Sequence, residues 1–440
     1  MDEHGKIAAR VPHVSYLVRT IDAELDEMLP FLAAVALDGP KGVGKTETAG
    51  RRVAHTFSLD DPDQRKIVAA DFGLQSIPEG GVLFDEWQHL PQVWDSVRRQ
   101  VDAGAPPGRF LLTGSATPVD AAGTHSGAGR ILSLRMRPMG LHERGVVQPT
   151  VSFSELLYGS KGGPATGYAG PQAKIGGASD FSLVDYAQAI ASSGFPGIAS
   201  LPARLQQVQL DSYLLRIIDR DLPDRDVEIR RPETLRRWLA AYAAASSTTA
   251  TYSSILDATT GGDGYQPSKD TTLRYRDHLQ QLWLLDPVPG WTSFHNPLKR
   301  VSQAPKHQLA DPALALRLLN FTANDLLNGR GVHMFGPLLE SLAALGVRIL
   351  AQAAQARTFH LRTHGGDHEV DLIVEGQGGA LLAIEVKLAA GIDDRDVRHL
   401  HWLKEQMRGD VSDLVILTTG SQAYRRADGV AVVPLALLGA

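Results

Sequence analysis

Gly39-Pro40-Lys41-Gly42-Val43-Gly44-Lys45-Thr46 has the residue types and spacing of a phosphate-binding turn, G-x-x-x-x-G-K-[ST]. Glycines let backbone N–H groups approach phosphate oxygens, because no Cβ stands in the way. A helix opening at the end of the turn adds unpaired donors and partial positive charge. Lys45 is placed to reach the β- and γ-phosphates, and the Thr46 hydroxyl to ligate Mg²⁺. Further on, Val82-Leu83-Phe84-Asp85-Glu86 is an apolar run ending in two carboxylates. Asp85 can hold the Mg²⁺ shell and Glu86 can polarise a water. Thr113-Gly114-Ser115 ends another apolar run. The hydroxyls of Thr113 and Ser115 can stand near a γ-phosphate, although the same residues also make ordinary turns. This chemistry is Mg²⁺-dependent binding and hydrolysis of ATP.

A second constellation lies near the end of the chain, in Glu369-Val370-Asp371 and Ile384-Glu385-Val386-Lys387. Strand alternation puts Glu385 and Lys387 on one face. A hairpin turned by Gly376-Gln377-Gly378-Gly379 brings Asp371 beside them. Two such carboxylates can bind Mg²⁺, and a lysine can position water or steady a developing charge. The same pattern is also ordinary charge alternation on a solvated strand. His360, His364 and His368 match no strong zinc spacing and read as loop and surface residues.

The elements needed to position these groups are visible in the hydrophobic pattern. A helix is expected over Tyr16 to Leu32, a strand over Leu32 to Leu37, and a helix over Glu47 to Ala54. Strands over Gly81 to Phe84 and Arg109 to Leu112 flank a helix from Pro91 to Val101. Apolar strands separated by amphipathic helices predict a parallel sheet covered on both faces. Gly159 to Gly177 reads as a mobile linker. From Leu201 to Leu319 the chain reads as mainly helical. A helix over Ser247 to Leu256 and one capped by Ser268 make a possible helix-turn-helix. A helix from Phe335 to Leu345 precedes strands over Arg357–Leu361, Val370–Val374, Leu381–Lys387 and Leu414–Thr418. The expected division is residues 1–200, 201–325 and 326–440.

The 440 residues carry a formal net charge of -5, so any nucleic-acid surface must be a local patch. Cysteine is absent, which excludes disulfides, thiolate metal sites and cysteine nucleophiles and suits a reducing interior. Met1-Asp2-Glu3-His4-Gly5-Lys6 lacks the apolar core of a signal peptide, and no apolar run reads as approaching a membrane span. A cytoplasmic protein without membrane association is expected.

The sequence resembles a bacterial and archaeal group of AAA-superfamily ATPases with a C-terminal domain of unknown function. Tyr16-Leu17-Val18-Arg19, the P-loop with Lys41 where Arg is usual, and Leu83-Phe84-Asp85-Glu86-Trp87-Gln88-His89-Leu90-Pro91 carry the resemblance. So do Leu112-Thr113-Gly114-Ser115, Gly129-Arg130, and Arg137-Pro138-Met139-Gly140-Leu141-His142-Glu143. It continues through Gly194-Phe195-Pro196 and Tyr213-Leu214-Leu215-Arg216-Ile217-Ile218-Asp219-Arg220-Asp221. The resemblance implies an α/β fold class with three parts: a P-loop AAA-type ATPase domain, a helical winged-helix-like module, and a C-terminal restriction-endonuclease-like α/β domain. It makes Arg130 an arginine that reaches the γ-phosphate of a neighbouring subunit, so a homo-oligomer is implied; the other reading is a surface arginine paired with a carboxylate.

It also makes Ser246 to Pro287 winged-helix-like, with Lys269, Arg274 and Arg276 on a helix that can enter a DNA major groove. Asp270 and Asp277 suit a solvated packing helix equally well. The C-terminal part resembles the PD-(D/E)XK nuclease core, with Glu340, Asp371, Glu385 and Lys387 in its acidic and lysine positions. Three functions follow as expectations. One is an ATPase acting on DNA or RNA. Another is an ATP-regulated, metal-dependent nuclease. The third is a nucleotide-dependent scaffold for a protein partner.

Overall fold

The computed structural model describes residues 16–115, 128–160, 162–163, 172–222, 232–259, 268–291, 304–407 and 411–440. The reading of Met1 to Lys6 and most of the Gly159–Gly177 linker lie outside the described residues. The first sheet holds β1 (Ala34–Asp38), β2 (His55–Ser58), β3 (Val82–Asp85), β4 (Phe110–Gly114) and β5 (Leu132–Arg135), in the order β2-β3-β4-β1-β5. Its pairings are all parallel. Alternation along the strands explains why both faces are covered. Ala34 and Ala36 of β1, Val82 and Phe84 of β3, and Phe110 and Leu112 of β4 feed one apolar cluster. Val35, Leu37, Leu83 and Leu111 feed another on the opposite face.

Helices α1 (Thr20–Met28), α2 (Lys45–Gly50), α3 (Pro62–Ala69) and α4 (Gln92–Asp102) accompany this sheet. Three differences from expectation have local causes. Helix α1 starts at Thr20 because Arg19 is extended and Asp22 caps it, its carboxylate accepting from the Arg19 N–H at 2.7 Å. Helix α2 stops at Gly50, and the chain soon turns into β2, a half-exposed edge strand with no apolar run to betray it. Strand β5 was also not legible, since Leu132-Ser133-Leu134-Arg135 carries only two apolar residues.

The middle of the chain is mainly helical among its described residues. After β6 (Val151–Ser152) come α5 (Phe153–Tyr158), α6 (Leu183–Ala191), α7 (Pro196–Ala199), α8 (Ala203–Arg216), α9 (Pro232–Ala244), α10 (Tyr252–Ala258), α11 (Lys269–Gln281), α12 (Pro312–Leu318) and α13 (Ala323–Asn328). The helix expected from Ser247 begins only at Tyr252, where Thr251 is extended and caps it through its side chain. Ser268 caps α11 as expected, accepting from the Thr271 N–H at 3.1 Å.

Helix α14 (Val332–Ala353) leads to the second sheet. That sheet contains β7 (Arg357–Arg362), β8 (Glu369–Glu375), β9 (Leu381–Lys387), β10 (Asp413–Thr418), β11 (Tyr424–Arg425) and β12 (Ala431–Pro434), ordered β11-β12-β10-β9-β8-β7. Strands β7, β8 and β9 run antiparallel, and β9, β10 and β12 parallel, with α15 (Asp394–Gln406) crossing between β9 and β10. Contrary to the expectation that no apolar run approaches a membrane span, α14 is long and apolar enough to cross one; here 78% of its most apolar window is buried inside the protein.

One apolar cluster runs across the divisions expected at 200/201 and 325/326. It joins Val35 and Leu37 of β1, Tyr186 of α6, Trp238 of α9, Leu342 of α14, and Ile384 and Val415 of the second sheet. The final strand β13 (Leu438–Gly439) closes back on β6 in a parallel pair. Buried Asp286 adds an ionic tie. Its carboxylate meets Arg135 of β5 at 2.9 Å, Arg137 at 2.9 Å and Arg348 of α14 at 2.6 Å. Burial opposes its charge, but the three guanidiniums prevail and hold its carboxyl well below the usual range.

Candidate nucleotide site

The phosphate-binding turn lies between β1 and α2, at the C-terminal edge of the parallel sheet. Gly44 must be glycine-like, with φ at +101° immediately before α2. Gly39 is required for space, because a Cβ there would run into the Met136 carbonyl oxygen that follows β5. The Lys45 ammonium donates to the carbonyls of Gly39 at 2.8 Å and Pro40 at 2.9 Å. Burial lowers its pKa to about 8, while Glu86, Asp85 and Asp38 pull the other way. Asp38, at the end of β1, is pushed up by burial to about 6 even though Lys45 favours its charge.

Strand order determines the rest of the site. Strand β4 stands between β1 and β3, so its end lies between the turn and the two carboxylates. The Thr46 hydroxyl donates to Asp85 Oδ1 at 2.8 Å, and the Thr113 hydroxyl donates to the same oxygen. The Ser115 hydroxyl donates to Glu86 Oε2 at 2.7 Å, and the Gln88 amide spans Glu86 and Ser115. Glu86 is left-handed, with φ at 52°, a conformation that costs a non-glycine residue about 1 kcal/mol. The bend turns its carboxylate off the line of β3 toward Ser115. Gly114 allows the following turn to close, since a Cβ there would stand 2.8 Å from the Trp87 indole nitrogen.

Lys45, Thr46, Asp85, Glu86, Thr113 and Ser115 therefore come together, as their sequence context predicts. The set fits ATP with Mg²⁺: a buried ammonium, a hydroxyl and a carboxylate sharing one short contact, and a second carboxylate beside them. Arg130 is elsewhere. It is half-exposed, and its Nε donates to Asp102 Oδ1 of the same chain at 2.9 Å.

The sequence reading did not single out Arg19 and Glu143. Arg19 is 4% exposed and donates to the carbonyls of Val43 at 2.9 Å and Arg137 at 2.8 Å, and to Glu143 at 3.1 Å. It fixes the phosphate-binding turn to the segment after β5. A cleft of about 380 Å³ opens beside the turn, lined by Tyr16, Leu17, Arg19, Gly44, Thr48, Met136 and Pro196 among others. Its size and largely apolar wall suit a nucleoside. The one available signal was that Arg19 and Glu143 both sit in the short blocks that carry the family resemblance.

The C-terminal carboxylates are also gathered, but around a residue that the motif did not include. Lys306 is 1% exposed and its ammonium lies 2.9 Å from Glu340, 2.9 Å from Glu369 and 2.8 Å from Asp371. Asp371 also accepts from the Val386 N–H at 2.9 Å, and Glu385 pairs with Lys387 at 2.8 Å. Burial opposes the charge on Lys306, yet the three carboxylates hold its pKa well above the ordinary lysine value. Among the described residues, no group of three or more His, Cys, Asp or Glu is arranged to hold a metal ion. His360 corrects the surface reading: it is fully buried in β7, with Nε2 2.8 Å from the Ala304 carbonyl oxygen, and burial lowers its pKa to about 4. His368 lies against the Trp402 ring, 4.0 Å between centroids.

Comparison with known proteins agrees with the first half of this picture. Residues 33–144 match the family model of the AAA domain, so the chain carries an AAA-type P-loop ATPase domain. Residues 183–325 and 335–438 match two domains of unknown function, DUF8612 and DUF4143. Two uncharacterized proteins, from Mycobacterium tuberculosis and Mycobacterium bovis, are each 25% identical over 450 residues, spanning 98% of this chain and 87% of theirs. Among solved structures, a Walker-type ATPase of Pyrococcus abyssi aligns at 14% identity with a TM-score of 0.40, covering 69% of this chain and 96% of that one.

Proposed function

We propose that this protein is a cytoplasmic, Mg²⁺-dependent ATPase whose turnover changes the arrangement of its C-terminal parts on a nucleic-acid target. The observation that carries the ATPase reading is the convergence of Thr46 and Thr113 on Asp85, with Glu86 held by Ser115 next to it. Lys45 exchanges its two carbonyl partners for phosphate oxygens. Thr46 and Asp85 hold Mg²⁺, which supplies neutralising charge at the phosphates. Glu86 orients the attacking water and accepts its proton, while Ser115 and Gln88 keep the carboxylate aimed. The division into a P-loop domain over residues 1–200, a winged-helix-like module over 201–325 and a nuclease-like domain over 326–440 belongs to the same reading.

A nucleic-acid target is taken from the family resemblance rather than from charge: α11 presents exposed Lys269 and Arg274 beside exposed Asp270 and Asp277, while burying Thr272, Tyr275 and Leu279. Arg276 is already paired with Asp277 at 2.7 Å. The deciding measurement is the ATPase rate with and without Mg²⁺, DNA and RNA, with the nucleic acid run on a gel afterwards. Stimulation by either nucleic acid supports the reading. An unchanged rate across both moves the target to a protein partner, and metal-dependent cutting identifies a nuclease.

The homo-oligomeric reading rests on Arg130. Its partner Asp102 is surface-exposed, and water screens such a pair, so the guanidinium is easily released to a neighbour. Arg130→Ala protein is expected to hydrolyse ATP poorly alone and to regain activity when mixed with Lys45→Ala protein, through hybrid sites. Full activity of Arg130→Ala alone rejects the role.

A further inference from the structure

We propose that Lys306 is the resident cation of the C-terminal carboxylate cluster, supplied by the middle part of the chain, and that it closes this cluster to divalent metal. The geometry is that of a well-partnered ammonium. Lys306 donates hydrogen bonds to Glu340 of α14 at 2.9 Å and to Asp371 of β8 at 2.8 Å, and its ammonium forms an ion pair with Glu369 of β8 at 2.9 Å. Those distances suit N–H···O hydrogen bonds; Mg²⁺ draws its oxygens in to about 2.1 Å. The backbone that carries the side chain is held in place: it exchanges two hydrogen bonds of 2.9 Å with Val288, and the next residue, His307, bonds to Thr248 at 2.9 Å.

The charges around it explain why a cation is needed there. Glu340, Glu369, Asp371 and Glu385 bring four carboxylates together. Facing them are Lys306, Lys387 on Glu385, and Arg362 at 3.5 Å from Glu369. Lys387 pairs with Glu385, the most buried of the four carboxylates, and Arg362 reaches only the more exposed Glu369. Burial opposes the charge on Asp371, but Lys306 and the Val386 N–H hold its carboxyl below the usual range. Burial and the neighbouring Asp371 instead push Glu340 up to about 8, even beside Lys306. The buried charge that depends on Lys306 is therefore that of Asp371, and removing its partner is strongly unfavourable. One oxygen of Glu385 is buried without a hydrogen-bond partner among the described residues, and burial beside Asp371 pushes this carboxyl well above the usual range. The cation and its carboxylates come from different family units, Lys306 lying within residues 183–325 and the carboxylates within 335–438. Lys306 is therefore an autoinhibitory contact between them: the acidic site exists, and the neighbouring unit fills it.

The test uses the full-length, nucleotide-free protein titrated with Mn²⁺, with free Mn²⁺ followed by electron paramagnetic resonance. The native protein and Asp371→Asn are expected to bind Mn²⁺ alike. Lys306→Ala is expected to gain an additional Mn²⁺ site that Lys306→Ala/Asp371→Asn lacks. In chelator, Lys306→Ala should melt below the native protein, and adding Asp371→Asn should raise its Tm again. A Mn²⁺ site in the native protein that disappears in Asp371→Asn overturns the proposal. So does a Lys306→Ala protein that melts with the native Tm and gains no Mn²⁺. If Lys306→Ala does not fold, Lys306→Met combined with Glu340→Gln and Asp371→Asn decides: recovery of folded protein supports the charge role, and no recovery assigns Lys306 to packing and overturns it.

Discussion

Glu86→Gln is expected to bind ATP as the native protein does and to lose turnover by about 10²–10⁴-fold, the usual scale for a general base. The two side chains are nearly isosteric, so the left-handed turn at Glu86 and the Ser115 contact can persist. What disappears is an acceptor for the water's proton. The binding contacts, which belong to Lys45, Thr46 and the turn, are untouched. Nucleotide titration and single-turnover hydrolysis of the same sample separate the two effects. Turnover unchanged in Glu86→Gln removes this residue from the mechanism.

Lys45→Ala should have the second large effect, on binding. Deleting a buried charge that pairs with phosphate costs roughly 2–5 kcal/mol, or about 30-fold in affinity at the lower bound. The same lysine predicts a pH dependence. Burial lowers its pKa to about 8 from the ordinary 10.5. Only the protonated form attracts the polyphosphate, so the lysine contributes fully below about pH 7 and native affinity should fall as pH rises through about 8, with proton uptake on binding above that value. Changes nearer pH 6 belong to Asp38 and the terminal phosphate, which titrates at about 6. Bound phosphate favours the ammonium, so the fall begins near the free lysine's value and levels off only above the higher pKa of the lysine in the complex. Titrations with a fluorescent ATP analogue across this range check the sign. Lys45→Ala should be weak throughout and lack the lysine-dependent limb; a native-like limb in Lys45→Ala assigns it to another group.

The sequence was most legible where chemistry demands consecutive residues. A strand, a glycine turn and a helix must follow one another to cradle phosphate, so residues 34–50 could be read in order. The same holds for β3 and its two carboxylates, and for the β8–β9 hairpin, whose Asp371 does reach the Val386 N–H. Apolar strands separated by amphipathic helices also predicted that the first sheet is covered on both faces, and β1 is buried in both phases. The apolar pattern failed at β2 and β5, edge strands whose residues face neither cluster continuously.

What only the tertiary structure decided are the partners drawn from far apart in the chain. Nothing near Arg19 in sequence says that it grips the Val43 carbonyl, or that Glu143 neutralises it. His360 looked like a loop residue until β7 buried it. Asp286 and its three arginines come from β5, the segment beyond it, the middle of the chain and α14. Lys306 stands 65 positions before Asp371, in a stretch with no motif. Motifs record which groups a reaction needs close together along the chain. Neutralising a buried charge needs only proximity in space, and a lysine anywhere in the sequence can supply it once folding has set its backbone in place.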